Sequence, residues 1–371
     1  MRVLHVHSGN IYGGVETVLY NLARTRGQFP SMEPHYALCY EGRLTQELVS
    51  CGATVTILGD VRVRKHWTIR RARRVLADLI RKTHPDVVVC HAPWALAMFG
   101  TSVRNAGAAL AFFLHGTATG KHWLERWARR NPPDVAICNC QFTIPSLSAV
   151  APNAPHRVAY YPIPAPPPLT GEERFELRRQ LNTDRSTPVI IQVSRLDPWK
   201  GHELHLEALA RLTDLADWRC WFVGGPQSRT EERYFERLRS MAAGRGVSDR
   251  IQFLGQRADV PKLLAAADVF CQPNTGPEPF GIVFVEALYA GLPVVTSAFG
   301  GPIEIVDASC GILTPPGDVA AVSSALRDLI QDPATRRKLA VGAPARAASV
   351  CGPAAGLEQL HDALAAVVSH R

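Results

Sequence analysis

No run in the 371 residues reaches about 18 consecutive apolar positions, so no segment has the length of a bilayer-spanning helix. Cys-x-x-Cys is absent among the nine cysteines, and Cys138-x-Cys140 falls inside an apolar run. That scatter fits reduced, buried thiols of a cytosolic protein better than a disulfide framework. Asp-x-Asp does not occur, and no His/Cys cluster has metal-ligand spacing, so no metal site is expected. The Gly-x-Gly-x-x-Gly dinucleotide fingerprint is missing as well. No basic-then-apolar leader precedes the first strand-like run, so a cytoplasmic location is expected. Lysine is scarce, 6 against 35 arginines, a ratio that GC-rich coding alone can produce.

What remains is ordinary globular material, 46% hydrophobic and 20% charged. At roughly 100–200 residues per domain, the length suggests two domains. The net charge of +8 is uneven: residues 1–165 hold 19 Lys/Arg against 9 Asp/Glu, and the rest hold 22 against 24. A basic first half suits an acidic or phosphate-bearing partner, and equally a merely solvated surface.

Short apolar runs alternate with longer amphipathic stretches. Strand-like runs fall at 2–8, 35–40, 54–58, 87–91, 109–115 and 135–140, with helical patterns such as 16–24 and 69–82 between them. Such alternation implies βαβ units and parallel sheets. Five prolines in the seven residues 162–168 cannot continue a helix or a central strand and mark a linker. Strand-like runs resume at 188–194, 220–224, 250–254, 269–272, 293–297 and 311–313. The expected fold is α/β, with two Rossmann-like doubly wound domains. Their expected extents are 1–165 and 166–354, with a last helix at about 355–371 packing back onto the first.

Three segments carry candidate chemistry. Ser8 to Glu16, with Gly13 and Gly14, follows the first strand and opens a helix, where glycines and free amides favour an anion. Ser194 to His202 places Arg195 and Lys200 on one loop, where two cations suit a diphosphate or simply face water. Pro277 to Ala287 holds Glu278 in a turn and Glu286 in the apolar run behind it. A carboxylate in an apolar run needs a partner or a ligand, and its oxygens accept from sugar hydroxyls. An internal salt bridge would serve Glu286 equally well.

The segment Glu-Pro-Phe-Gly-Ile-Val-Phe-Val-Glu-Ala-Leu at 278–288 resembles the signature of glycosyltransferase family 4, of the GT-B fold. Ser-Arg-Leu-Asp-Pro-Trp-Lys-Gly-His at 194–202 resembles the donor-phosphate segment of that family. Phe222 to Gly225, Gly291 to Val295, Gly300 to Val306, Gly13-Gly14 and His115-Gly116 extend the likeness along nearly the whole chain. The resemblance implies a retaining, metal-independent hexosyltransferase that takes a nucleotide sugar, UDP-linked by expectation, and needs no other cofactor. Two domains would face each other across a cleft. Arg195 and Lys200 would neutralise the donor diphosphate, Glu286 would hold the ribose, and Glu278 would contact the sugar. Backbone at Phe280, Gly281 and Ile282 would support sugar and phosphates, Gly13 and Gly14 would close on the diphosphate, and His115 would sit beside the reacting carbon.

Two departures from the pattern stand out. Pro302-Ile303 precedes Glu304 where the family more often has proline next to the Glu, and Pro279 follows Glu278 where a small residue is common. The acceptor is illegible: a glycan, a small metabolite and a lipid-linked sugar all remain open, as does a degenerate sugar-nucleotide-binding subunit. The basic segment 62–74, with Trp67 and Ile69 among its cations, suggests peripheral contact with an anionic inner membrane face, or a plain solvated helix. No nucleic-acid-binding module surrounds it.

Overall fold

Runs such as Val-Val-Val-Cys-His and Ala-Leu-Ala-Phe-Phe-Leu are apolar on both faces, and they become strands buried on both faces, as central parallel strands must be. The computed structural model describes residues 1–10 and 13–368. The chain divides into two units: unit 1 spans Met1–Pro164 plus the chain from Cys351 onward, and unit 2 spans Ala165–Val350.

Unit 1 contains strands β1 (Arg2–His7), β2 (Glu33–Leu38), β3 (Thr54–Ile57), β4 (Val87–His91), β5 (Ala109–Leu114), β6 (Val135–Cys138) and β7 (His156–Val158). They form a sheet in the order β3-β2-β1-β4-β5-β6-β7, parallel at every pairing. The first helices are α1 (Gly14–Thr25), α2 (Arg43–Ser50), α3 (His66–Thr83), α4 (Ala92–Asn105), α5 (Trp123–Ala128) and α6 (Ile144–Leu147).

In unit 2 the helices are α7 (Gly171–Gln180), α8 (His202–Ala210), α9 (Arg229–Gly244), α10 (Val260–Ala266), α11 (Ile282–Tyr289), α12 (Pro302–Ile305), α13 (Val319–Gln331) and α14 (Pro333–Cys351). Strands β8 (Val189–Val193), β9 (Arg219–Val223), β10 (Ile251–Gly255), β11 (Val269–Gln272), β12 (Val294–Ser297) and β13 (Gly311–Thr314) are ordered β10-β9-β8-β11-β12-β13, again parallel.

The last helix, α15 (Pro353–Val368), belongs to unit 1 and buries Leu357, Leu360 and Leu364. Residues 369–371 of the expected terminal segment lie outside the described residues. The end of the first segment of unit 1 is held to this helix and to the last residue of α14. Tyr160 N–H donates to Gln359 Oε1 at 3.1 Å, and Ile163 N–H donates to Cys351 O at 2.9 Å.

The basic segment departs from its reading in one respect. On α3, Ile69 joins Ala72, Leu76 and Ile80 in the core, the i, i+3, i+4 stripe of an amphipathic helix. Ile69 is therefore not available to a membrane. Trp67 is 66% exposed, beside exposed Arg64, Lys65, Arg70, Arg71 and Arg74.

Candidate active site

In each sheet the strand order reverses beside the first strand: β1 lies between β2 and β4, and β8 between β9 and β11. Ligands of doubly wound sheets bind beyond the carboxyl ends of the strands at such a point. The segments leaving β8 and β11 in unit 2, and β1 and β4 in unit 1, are therefore where function is expected.

In unit 2 the segment after β8 holds Arg195 and Lys200. Arg195 is 67% exposed and pairs with Asp197 at 2.8 Å. Lys200 ends a short 3-10 turn, Pro198–Lys200, and its ammonium lies 4.1 Å from the centre of the Trp199 ring. Its ammonium also pairs with Glu278 Oε2, delivered by the segment after β11; the two side chains are only 13% and 10% exposed. The strand beneath holds the Lys200 backbone. Gln192 Nε2 donates to Lys200 O at 3.0 Å, while Gln192 Oε1 meets His205 Nδ1 at 2.8 Å. Burial and the nearby Lys200 charge lower His202 to about 4, and burial and His202 lower His205 to about 3. Both therefore stay neutral near neutral pH.

Glycines let these loops close on one another. Gly201 has φ +77°, and a Cβ there would lie 1.9 Å from Pro273 O. Gly281, φ +93°, caps α11, where a Cβ would strike the Phe284 ring at 2.3 Å. Gly301 N–H donates to Glu278 O at 2.8 Å, tying the Glu278 turn to the segment after β12. Phe280 is buried, Ile282 starts α11, and Glu286 is half-buried in its second turn. Gly281, the residue that caps α11, abuts Glu278, the partner of Lys200.

In unit 1, Gly13 is the N-cap of α1 and Gly14 its first residue. Glu16 is buried; its carboxylate accepts from Gly13 N–H at 3.0 Å and meets His7 Nε2 at 2.7 Å. The preceding residues Ile11 and Tyr12 lie outside the described residues. His115 follows β5 and is half-buried. Its Nε2 lies 2.8 Å from His91 Nδ1, and its Nδ1 lies 2.8 Å from Tyr161 Oη. His91 Nε2 in turn lies 2.9 Å from His5 Nδ1. Burial, together with the other histidines of the cluster, holds His91 and His115 well below the usual histidine range.

The family profile described as "Glycosyltransferase Family 4" matches residues 12–166, and that described as "Glycosyl transferases group 1" matches residues 173–346. A phosphatidyl-myo-inositol mannosyltransferase of Mycobacterium leprae is 30% identical over 361 residues, covering 91% of this chain and 90% of its own. The chain belongs to glycosyltransferase family 4.

A second relative in the family is a D-inositol 3-phosphate glycosyltransferase of Corynebacterium diphtheriae, 35% identical over 221 residues. Those residues are 54% of this chain and 51% of that relative, so the chain spans about half its length. The fold is shared with an Anabaena protein, HepE, solved with UDP and glucose. The TM-score is 0.85 at 24% identity, over 99% of this chain and all of that one. A Rickettsia africae glycosyltransferase superposes with a TM-score of 0.86 at 18% identity, over 100% of this chain and 99% of the other. The protein is accordingly a family 4 glycosyltransferase with two Rossmann-like units.

Within unit 2, Lys200 and Glu278 are brought into direct contact, and Gly281 abuts Glu278, whose Cγ is 3.1 Å from where a Cβ would lie. Arg195 pairs with Asp197 instead. Sequence reasoning singled out His115 and passed over its companions. Their signal was present: His7 and His91 end strands, and His115 directly follows one. Glu16 and Gln192 carried no comparable mark.

Proposed function

We propose that this family 4 glycosyltransferase is a retaining, metal-independent hexosyltransferase that takes its sugar from a nucleotide sugar bound by unit 2. The observation that carries the reading is the buried Lys200–Glu278 pair at the head of α11. A lysine already desolvated is a preorganised counter-charge for a diphosphate, and Glu278 accepts from sugar hydroxyls. Arg195, paired with Asp197 at the surface, swings to the phosphates without disturbing the core. Glu286 takes the ribose, and backbone at Phe280, Gly281 and Ile282 lines the sugar and phosphates. In unit 1, the Gly13-Gly14 turn and His115 are assigned to the transfer site on the family resemblance.

In the reaction, the bond from the anomeric carbon to the diphosphate oxygen breaks. The acceptor hydroxyl oxygen bonds to that carbon on the face the diphosphate leaves, and its proton passes to a departing phosphate oxygen. UDP is the expected carrier, supported by HepE, whose structure holds UDP. GDP-mannose is the named donor of a Corynebacterium glutamicum relative 30% identical to this chain, which makes it the competing donor. Thermal-shift titration with UDP-glucose and GDP-mannose separates the two. Arg195→Ala and Glu286→Ala should each cut transfer by about a hundredfold or more while leaving the melting midpoint within a few degrees. Loss of the Arg195 charge alone should raise the barrier by about 3 kcal/mol. Near-normal turnover in either variant would remove this assignment.

A lipid-linked acceptor is the second reading. Trp67 stands exposed among five exposed cations on and just before α3, the arrangement that an anionic bilayer attracts. Among the described residues no helix is long and apolar enough to cross a membrane, so contact through α3 would be peripheral. Pelleting with anionic vesicles should depend on Trp67 and on salt. Equal recovery with neutral vesicles would remove this reading and leave a soluble acceptor.

A further inference from the structure

Three histidines and a tyrosine form a continuous hydrogen-bonded row in unit 1, running from His5 through His91 and His115 to Tyr161. His5 and His91 are fully buried, and Tyr161 is nearly so. Both ring nitrogens of His115 are engaged, so its ring offers no free nitrogen to an acceptor hydroxyl.

A neutral imidazole has one N–H and one bare nitrogen, so a row of imidazoles must share one direction of donation. If Tyr161 donates to His115 Nδ1, His115 carries its proton on Nε2 and donates to His91 Nδ1. His91 then carries its proton on Nε2 and donates to His5. Reversing any one ring reverses all three, which makes the row a single cooperative unit.

Asn139 favours one direction. Its Nδ2 donates to the His115 carbonyl at 3.1 Å, and a carbonyl can only accept, which fixes the amide orientation. The same Nδ2 donates to Tyr161 Oη at 3.0 Å. Asn139 takes one lone pair of the phenol oxygen and cannot accept its proton through Nδ2, so donation of that proton to His115 Nδ1 satisfies both groups.

We propose that Tyr161 and His91 are positioning residues that hold His115 in one orientation, with its proton on Nε2. This rests on the reading that His115 belongs to the transfer site. The groups around the row include His7, on β1 and edge-on to His91, with its partner Glu16 on α1; Tyr36, on β2, stacked on His5; and Phe113, on β5, stacked on His115 with centroids 4.3 Å apart. Burial and mutual repulsion keep His91 and His115 neutral, so adding a proton to the row is unfavourable. His115 thus presents a rigid, uncharged ring.

Tyr161 directly precedes the proline-rich stretch, near the end of the first segment of unit 1.

Imidazole nitrogen NMR on the full chain tests the assignment, comparing the native sequence with Tyr161→Phe and His91→Gln. His115 of the native protein should show one tautomer, Nε2-protonated, and should not titrate between about pH 5 and 8. Tyr161→Phe keeps the ring packing and removes one hydroxyl; His115 should then populate both tautomers. His91→Gln, losing the Nε2 partner, should also change the His115 signals. A His115 tautomer pattern identical in all three proteins overturns the proposal, as does free titration of His115 in the native chain. Adding UDP-glucose or GDP-mannose provides the separate check on the site. If neither sugar nucleotide moves the His115 signals while Tyr161→Phe still does, the positioning role stands and the placement of His115 at the transfer site falls.

Discussion

Lys200 and Glu278 are 78 positions apart and meet as a nearly buried ion pair. Removing one partner of such a pair leaves a charge without compensation, which costs on the order of 3–5 kcal/mol. Lys200→Met and Glu278→Leu should each lower urea-unfolding stability in that direction. The double variant should recover much of the loss, since a well-packed apolar pair avoids the desolvation cost. Neither single variant nor the double should bind a nucleotide sugar. A double variant less stable than both singles would show that the pair holds the loops by more than charge. The two residues could be named from the chain as candidates, because each lies just past an apolar strand run. Their contact could not, because no local pattern encodes a pairing between separate loops. The histidine row shows the same limit: each strand-end histidine is visible, and the hydrogen bonds that link them depend on strand order.

At the level of elements, the loop carrying Lys200 turns on Gly201. Two glycines with similar backbone separate its conformational and steric demands. Gly201 has φ +77° and a Cβ there would lie 1.9 Å from a backbone oxygen; Gly246 has φ +70° and open space around it. Gly246→Ala should cost about 1–2 kcal/mol, from the left-handed backbone alone. Gly201→Ala carries that cost plus displacement of the Pro273 carbonyl, so it should be the more destabilising and should weaken nucleotide-sugar binding. Equal effects in the two variants, read by chemical denaturation, would show that the loop accommodates a side chain.

Elements were legible where burial is two-sided. β4 and β11 coincide with the apolar runs 87–91 and 269–272 because every residue in them is buried. β7 escaped notice: His-Arg-Val is short and mostly exposed, and it is strand only because β6 offers it an edge. α14 escaped as well, since its apolar residues follow no one-sided stripe and Pro344 interrupts its sequence.

Across the whole molecule, neutral buried histidines occur in both units. Burial first, then His35, lowers His5 to about 3; His202 sits at about 4 and His205 at about 3, while His91 and His115 lie well below their usual value. All return toward 6.5 on unfolding, so the unfolded chain binds more protons below that pH. Stability from these groups is therefore full above about pH 6.5 and falls as the pH drops toward 4. Each group contributes a slope of up to about 1.4 kcal/mol per pH unit. Melting midpoints should fall through this window. A flat profile between pH 7 and about 4.5 would contradict the buried, neutral assignment. Removing residues 353–371 provides a test of unit integrity. It strips Leu357, Leu360 and Leu364 from unit 1, worth roughly 2 kcal/mol each. Calorimetry should show an early transition for unit 1 beside a preserved one for unit 2.

Unit 1 is discontinuous along the chain, because its last helix follows all of unit 2. This has a consequence during synthesis. A nascent chain usually finishes its N-terminal domain first. Here the first domain emerges with the seats of Leu357, Leu360 and Leu364 unfilled, and the second, contiguous from Ala165 to Val350, completes ahead of it. Until α15 emerges, unit 1 carries an open apolar seam, and chaperones that hold apolar surface have a defined place to bind.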